Sequence, residues 1–161
     1  MKFKEYFPII EMLNSKLENL EWKQEGTKLV GFGEIEKFKI KINLDPITYA
    51  GYDGINVSFA LLEGSVYTEK FQDKNTVEAS KIIGAVTNAI KLQLDKLDWS
   101  FIVVVSKDNV EARHRLYVRI ADRVRKELLL NQTDFDHGNN KILILSKLLS
   151  SELEEIKKSF A

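Results

Sequence analysis

Between residues 38 and 44, apolar and polar positions alternate strictly: Phe38, Ile40, Ile42 and Leu44, with Lys39, Lys41 and Asn43 between them. A period of two sends successive side chains to opposite faces, so the segment reads as a strand with one buried and one wet face. The same period runs less regularly through residues 20–72, in Leu29-Val30, Phe32 and Ile35. Turn residues punctuate this region at Gln24-Glu25-Gly26, Asp45-Pro46, Gly51-Tyr52-Asp53-Gly54 and Glu63-Gly64. The pattern predicts an antiparallel meander of about four strands.

Elsewhere the period is helical. Phe3, Phe7, Ile10, Leu13 and Leu17 predict a short amphipathic helix over residues 3–14, interrupted by Pro8. Val77, Ile82, Ile83, Val86, Ile90, Leu94 and Leu97 recur at three-and-four spacing behind Asn75 or Thr76 as N-cap. Phe101-Ile102-Val103-Val104-Val105 is a continuous apolar run, mostly β-branched, as expected of a central strand covered on both faces. Ser106-Lys107-Asp108-Asn109 then reads as the cap of a second long helix reaching about residue 130. Residues 131–140 read as a polar turn and 141–145 as a strand. A last charged helix is expected from Ser150 or Ser151, with Glu154 near its third position. This order predicts a single α+β domain over residues 1–161, with a mixed, mostly antiparallel sheet and flanking helices.

Composition narrows the chemistry. The chain has 161 residues, 24 Lys+Arg against 24 Asp+Glu, and no cysteine. The missing cysteine excludes a disulfide framework, a thiolate metal site and a cysteine nucleophile. Balanced charge argues against a surface that coats nucleic acid or an anionic membrane. No apolar run approaches the ~20 residues of a membrane span, and residues 1–8 lack a signal-peptide stretch, so a cytoplasmic protein without membrane contact is expected. The zero net charge is nevertheless a sum of unlike parts. All five arginines, Arg113, Arg115, Arg119, Arg123 and Arg125, fall within residues 113–125. Arg115, Arg119, Arg123 and Lys126 share one helical face, interleaved with Glu111, Asp122 and Glu127, which can form intrahelical pairs. The stripe carries no aromatic residues for base stacking. It suits a solvated or protein-contacting face better than a nucleic-acid site, and Arg113, Arg115, Arg119 and Arg123 are its partner-binding candidates. Asp134, Asp136 and His137 read as a hydrophilic turn, and no metal motif is present.

The order of elements resembles the GNAT superfamily of N-acetyltransferases. The segment Asn109-Val110-Glu111-Ala112-Arg113-His114-Arg115-Leu116-Tyr117 is similar to the superfamily's Asn-x-x-Ala-x-x-x-Tyr segment. That resemblance implies acetyl-CoA as cofactor, Asn109 among the residues near it, and Tyr117 as the general acid toward the departing thiolate. The bland alternative is that Tyr117 is an aromatic at the core edge with its hydroxyl in water. The superfamily's pyrophosphate loop, Gln/Arg-x-x-Gly-x-Gly/Ala, corresponds to Gln72-Asp73-Lys74-Asn75-Thr76-Val77. Gln72 matches; Asn75 and Val77 stand where small residues are usual, and Asp73 adds a negative charge. The cofactor-binding positions this implies are Gln72, Lys74, Asn75 and Thr76, where Lys74 and backbone N–H groups at a helix start would face phosphate.

Residues 57–124 also resemble a family of small proteins of unassigned activity found in tailed bacteriophages and prophages. The matching residues are Ile82, Val86 and Ile90, then Val105-Ser106-Lys107-Asp108, then Arg113 and Tyr117. This implies a phage accessory or virion-associated protein, in the host cytoplasm or the virion. With the altered phosphate loop, the leading expectation is a non-catalytic protein, without cofactor, that works by binding another protein or itself. A CoA-dependent N-acyltransferase using Tyr117 is the alternative, and nucleic-acid binding through the arginine stripe a third.

Overall fold

A computed structural model describes residues 15–63, 66–68, 76–106, 118, 121–122, 124–126 and 128–160. Eight strands are present: β1 (Glu18–Glu25), β2 (Lys28–Ile35), β3 (Phe38–Tyr49), β4 (Tyr52–Glu63), β5 (Val66–Thr68), β6 (Phe101–Ser106), β7 (Asn131–His137) and β8 (Asn140–Ser146). The two continuously described helices are α1 (Thr76–Leu94) and α2 (Ser150–Lys158). Helical residues between 118 and 128 precede β7. The sheet order is β1-β2-β3-β4-β6-β8-β7, with β5 pairing β4 off that path. β4 and β6 run parallel, while β6 with β8 and β8 with β7 are antiparallel. The α+β class, the mixed sheet and the meander are as the sequence predicts. The predicted helix over residues 3–14 lies outside the described residues.

Short turns make the meander. Ala50 and Gly51 both adopt positive φ, 53° and 80°, the sign pattern of a type I′ turn, whose twist matches that of the strands it joins. Three expectations are corrected. Asp45-Pro46 does not end a strand, since β3 runs through it to Tyr49. Counting from the two-residue turn at Glu36-Lys37 sets Lys28 opposite Asp45, so Pro46 lies past the end of β2, where its missing N–H disrupts least. Residues 131–140 are not a polar turn: all seven residues of β7 pair with β8, and only Gly138-Asn139 turns. The last helix begins at Ser150, as expected, but its cap is Leu149 and Glu152 rather than Glu154 stands at the third position.

The chain divides into two compact units: Met1–Glu25, Leu29–Asn43 and Phe59–Leu97 in the first, Gly26–Lys28, Leu44–Ser58 and Asp98–Ala161 in the second. In the first, the alternating residues of β3 and the inward stripe of α1 are buried, among them Phe38, Ile40, Ile42, Ile82, Ile83 and Val86. Lys81 Nζ of α1 reaches Glu36 Oε1 at the β2–β3 turn at 3.1 Å, and Asn88 Nδ2 donates to the Ser15 carbonyl at 2.8 Å.

In the second unit Phe101, Val103, Ile142, Ile144, Leu153 and Ile156 form one buried cluster, so α2 covers one face of β6 and β8. Aromatic residues extend it: the Phe160 ring lies 4.7 Å from Tyr49 and 5.6 Å from Phe135, centroid to centroid. The Tyr52 hydroxyl donates to Glu152 Oε2 at 2.9 Å, while Glu152 Oε1 accepts the Leu149 N–H at 3.3 Å. Leu149 has no side-chain acceptor to return that bond, so only half of a capping box exists.

Candidate functional site

The parallel pair at the centre of the sheet is short. Gly54 pairs with Phe101, Ile55 with Ile102 and Asn56 with Val103, and the ladder stops there although both strands continue. β6 goes on through Val104, Val105 and Ser106, held on its other edge by Leu143, Ile142 and Lys141 of β8. On the edges that β4 and β6 turn toward each other, no strand among the described residues pairs with β4 at Val57 or Ser58 or with β6 at residues 104–106. The two strands therefore part toward their carboxyl ends, leaving extended backbone of the kind that receives an added strand or an amide-bearing ligand.

Ser106 closes β6 at this point. It is fully buried, and its Oγ has no hydrogen-bond partner among the described residues. Leaving such a group unsatisfied costs about 1–3 kcal/mol, so an unpartnered hydroxyl at the end of a central strand is informative. The other buried serine gives the contrast: Ser146 Oγ donates to the Ser100 carbonyl at 3.3 Å and accepts the Leu148 N–H at 2.9 Å. Asn56, Ser58, Val104 and Val105 around the parting are half-buried. The carboxyl ends of sheet strands are where α/β-type sheets commonly hold ligands, and Ser106, which the sequence presents as part of a helix cap, is the last residue of β6.

Most residues named from the sequence lie outside the described ones: Gln72, Lys74 and Asn75 of the loop, Asn109, Tyr117, and Arg113, Arg115, Arg119 and Arg123. Thr76 is the first residue of α1. Four residues separate Ala112 from Tyr117, one more than in the superfamily segment on which the expectation for Tyr117 rests. Within the described part of the arginine-bearing helix, Arg125 pairs with Asp122 at 3.3 Å. Lys141 Nζ contacts Asp136 Oδ1 at 3.2 Å across the β7–β8 ladder, and no group of metal-binding side chains forms among the described residues. Two open hollows flank β7. One, of about 280 Å³, is lined by Phe135, His137, Glu154, Lys157 and Phe160, and the other, of about 390 Å³, by Asp122, Arg125, Gln132 and Asp134.

A further surface has no signal in the residue pattern. Where the helix before β7 ends, the Leu130 N–H bonds the Arg125 carbonyl at 2.9 Å and Leu129 adopts φ 55°, the arrangement of a Schellman turn. Leu129 is 90% exposed, Leu149 69% and Leu128 38%. Asn131 opposes Ser146 and its Nδ2 donates to the Leu148 carbonyl at 2.6 Å, which brings both leucine-bearing segments to one end of the β7–β8 hairpin. No helix of the described residues is long and apolar enough to cross a membrane.

No protein-family model matches the chain, and no curated protein is significantly similar to it.

Proposed function

We propose that the chain is a GNAT-like module that holds an acyl-CoA at the parting of β4 and β6, with N-acyl transfer as its chemistry. The carrying observation is the three-residue parallel ladder that stops at Asn56 and Val103 beside the unpartnered Ser106 hydroxyl. The sheet order supports it: a meander, a helix, a parallel strand, a second helix, and a hairpin whose second strand inserts next to the parallel one. An amide-bearing chain such as the pantetheine arm suits unpaired strand edges, because its N–H and C=O groups can extend the ladder. Ser106 would donate or accept one hydrogen bond there; the phosphate contacts that the family resemblance implies for Gln72 and Lys74 remain an expectation from the sequence. The chemistry acyl-CoA would supply when bound is a thioester, whose C–S bond is exchanged for an amide bond to the amine acceptor; Tyr117 would give the departing thiolate its proton.

Acetyl-CoA tests this directly. At about 100 times its dissociation constant a ligand adds roughly 2.7 kcal/mol, and at about 2–4 °C per kcal/mol for a chain of this size the melting temperature should rise by roughly 5–10 °C. Thiol release with an amine acceptor should then vanish in Tyr117→Phe while the thermal shift remains. No shift at millimolar acetyl-CoA would refute the reading.

A second reading, a non-catalytic phage-type accessory protein that binds another protein, is favoured by the exposed leucines beside the β7–β8 hairpin. The resemblance to small phage proteins belongs to that proposal.

A further inference from the structure

Leu129 and Leu149 are each in the wrong place by local chemistry. A left-handed position at a helix C-terminus favours glycine or asparagine, because a Cβ there meets the carbonyl oxygen at a cost of roughly 1–2 kcal/mol. Leu129 nevertheless occupies it, at φ 55° and 90% exposed. An N-cap favours Ser, Thr, Asp or Asn, whose oxygen accepts an otherwise orphaned N–H. Leu149 occupies that position at 69% exposure, with no side-chain cap bond, although Ser150 follows it. Two independent departures meet at one end of one hairpin, and both put a large apolar side chain into solvent. Residues kept against local stability at one place point to a contact made there.

Charge narrows the partner. Among the described residues within two positions of the leucines along the chain, the exposed charges are Lys126 and Lys147, the latter with its Nζ 3.7 Å from the Trp99 ring centroid, and the N-terminus of α2 adds partial positive charge; Glu127 lies outside the described residues. Two described carboxylates near them in the chain are engaged: Asp122 with Arg125, and Glu152 with both Tyr52 and the Leu149 N–H. A second copy of the chain would set cations against cations. We infer that Leu128, Leu129 and Leu149 form a docking surface for an apolar protein segment with acidic flanks, such as an amphipathic helix.

The test uses Leu129→Gly/Leu149→Ser, which supplies the residue types the backbone prefers. A synthetic amphipathic peptide with leucines at i, i+3, i+4 and i+7 and glutamates elsewhere serves as probe, beside its lysine counterpart and vesicles of phosphatidylglycerol. The proposal expects the variant to melt no lower than the parent yet bind the glutamate peptide at least tenfold more weakly, with the lysine peptide weak on both. Equal binding by parent and variant, or equal binding of the two peptides, overturns it. Vesicle binding that the variant loses would assign the surface to a membrane, and dimerisation that the variant loses would assign it to a second copy; either overturns the acidic-segment partner.

Discussion

Replacing Gly54 by alanine tests how the centre of the sheet is built. An ideal Cβ at Gly54 would lie 2.4 Å from both Cε2 and Cζ of Phe101 and 2.7 Å from its Cδ2. Carbon atoms pack at about 3.5–4.0 Å, so the methyl group overlaps the ring by more than 1 Å. The ring has little room to retreat: Phe101 is fully buried among Val103, Ile142, Ile144, Leu153 and Ile156, with the Tyr49 ring 6.0 Å away. Nor can the strands move apart cheaply, because Gly54 and Phe101 face each other in the first of only three parallel pairs. Overpacking a close-packed core costs about 1–3 kcal/mol, and the rigidity here favours the upper end. Lower unfolded-chain entropy returns about 0.4–1 kcal/mol, leaving a net loss of about 2 kcal/mol. With a urea slope of about 1–3 kcal/mol per molar, the unfolding midpoint should fall by roughly 1 M. Gly54→Ala/Phe101→Leu supplies the control. If the ring is the obstacle, the double variant should lose at least about 1 kcal/mol less than the two single losses added. A midpoint within about 0.2 M of the parent, or strictly additive losses, would show that the ring and the glycine are not coupled, refuting the argument.

Other outcomes follow from single residues. Ala50→Gly removes a Cβ from the left-handed region in an exposed turn and should stabilise by about 0.5–1 kcal/mol, seen as a melting temperature up to roughly 4 °C higher; a lower one would contradict the turn geometry. The Tyr52 hydroxyl titrates above its ordinary value near 10 because it donates to the Glu152 carboxylate, whose charge opposes a second anion. A raised folded pKa gives stability that is fully present below pH 10 and lost as pH climbs through the folded value. The stability advantage of the parent over Tyr52→Phe should therefore shrink above pH 10 in urea titrations, and an advantage constant to pH 11.5 would sink the assignment. Leu149→Ser alone completes the capping box with Glu152 and should add about 0.5–1 kcal/mol, whereas a loss would show that the leucine is held by packing.

What the sequence revealed depended on whether local pattern and long-range pairing agree. Phe38 to Leu44 was legible because β3 has one buried and one wet face, so burial imposes the period of two. β7 was not, since Asn131 to His137 carries a single large apolar residue and no apolar alternation. Its pairing with the apolar β8 makes it a strand, and only the folded chain contains that relation. Asp134, Asp136 and His137 are what a sheet's outermost strand needs to discourage further pairing, and out of context such residues read as a turn. Glu36 was silent because it takes φ 52° without being glycine or asparagine. Gly54 gave a signal of the wrong kind: it reads as part of a turn, whereas the turn is Ala50-Gly51 and Gly54 makes room for Phe101.

The two proposed surfaces lie at opposite ends of the same strands, which makes them separable. Phe101, Ser146 and Asn131 stand in one row across β6, β8 and β7, at the leucine end, while Ser106, Lys141 and Asp136 form the row at the parted end. Five residues along a strand span about 17 Å at roughly 3.3 Å per residue, beyond direct side-chain contact and well past the ~7–10 Å at which variant effects begin to add. Leu129→Gly/Leu149→Ser should therefore leave the acetyl-CoA thermal shift unchanged. Ser106→Ala should reduce that shift without altering peptide binding. The β6–β8 ladder is unbroken between the two rows, through all six residues of β6. Coupling between the sites would have to travel along this ladder, and a thermal shift that depends on bound peptide would show that it does. An unchanged shift would instead assign one end of the sheet to a ligand and the other to a partner, each with its own free energy.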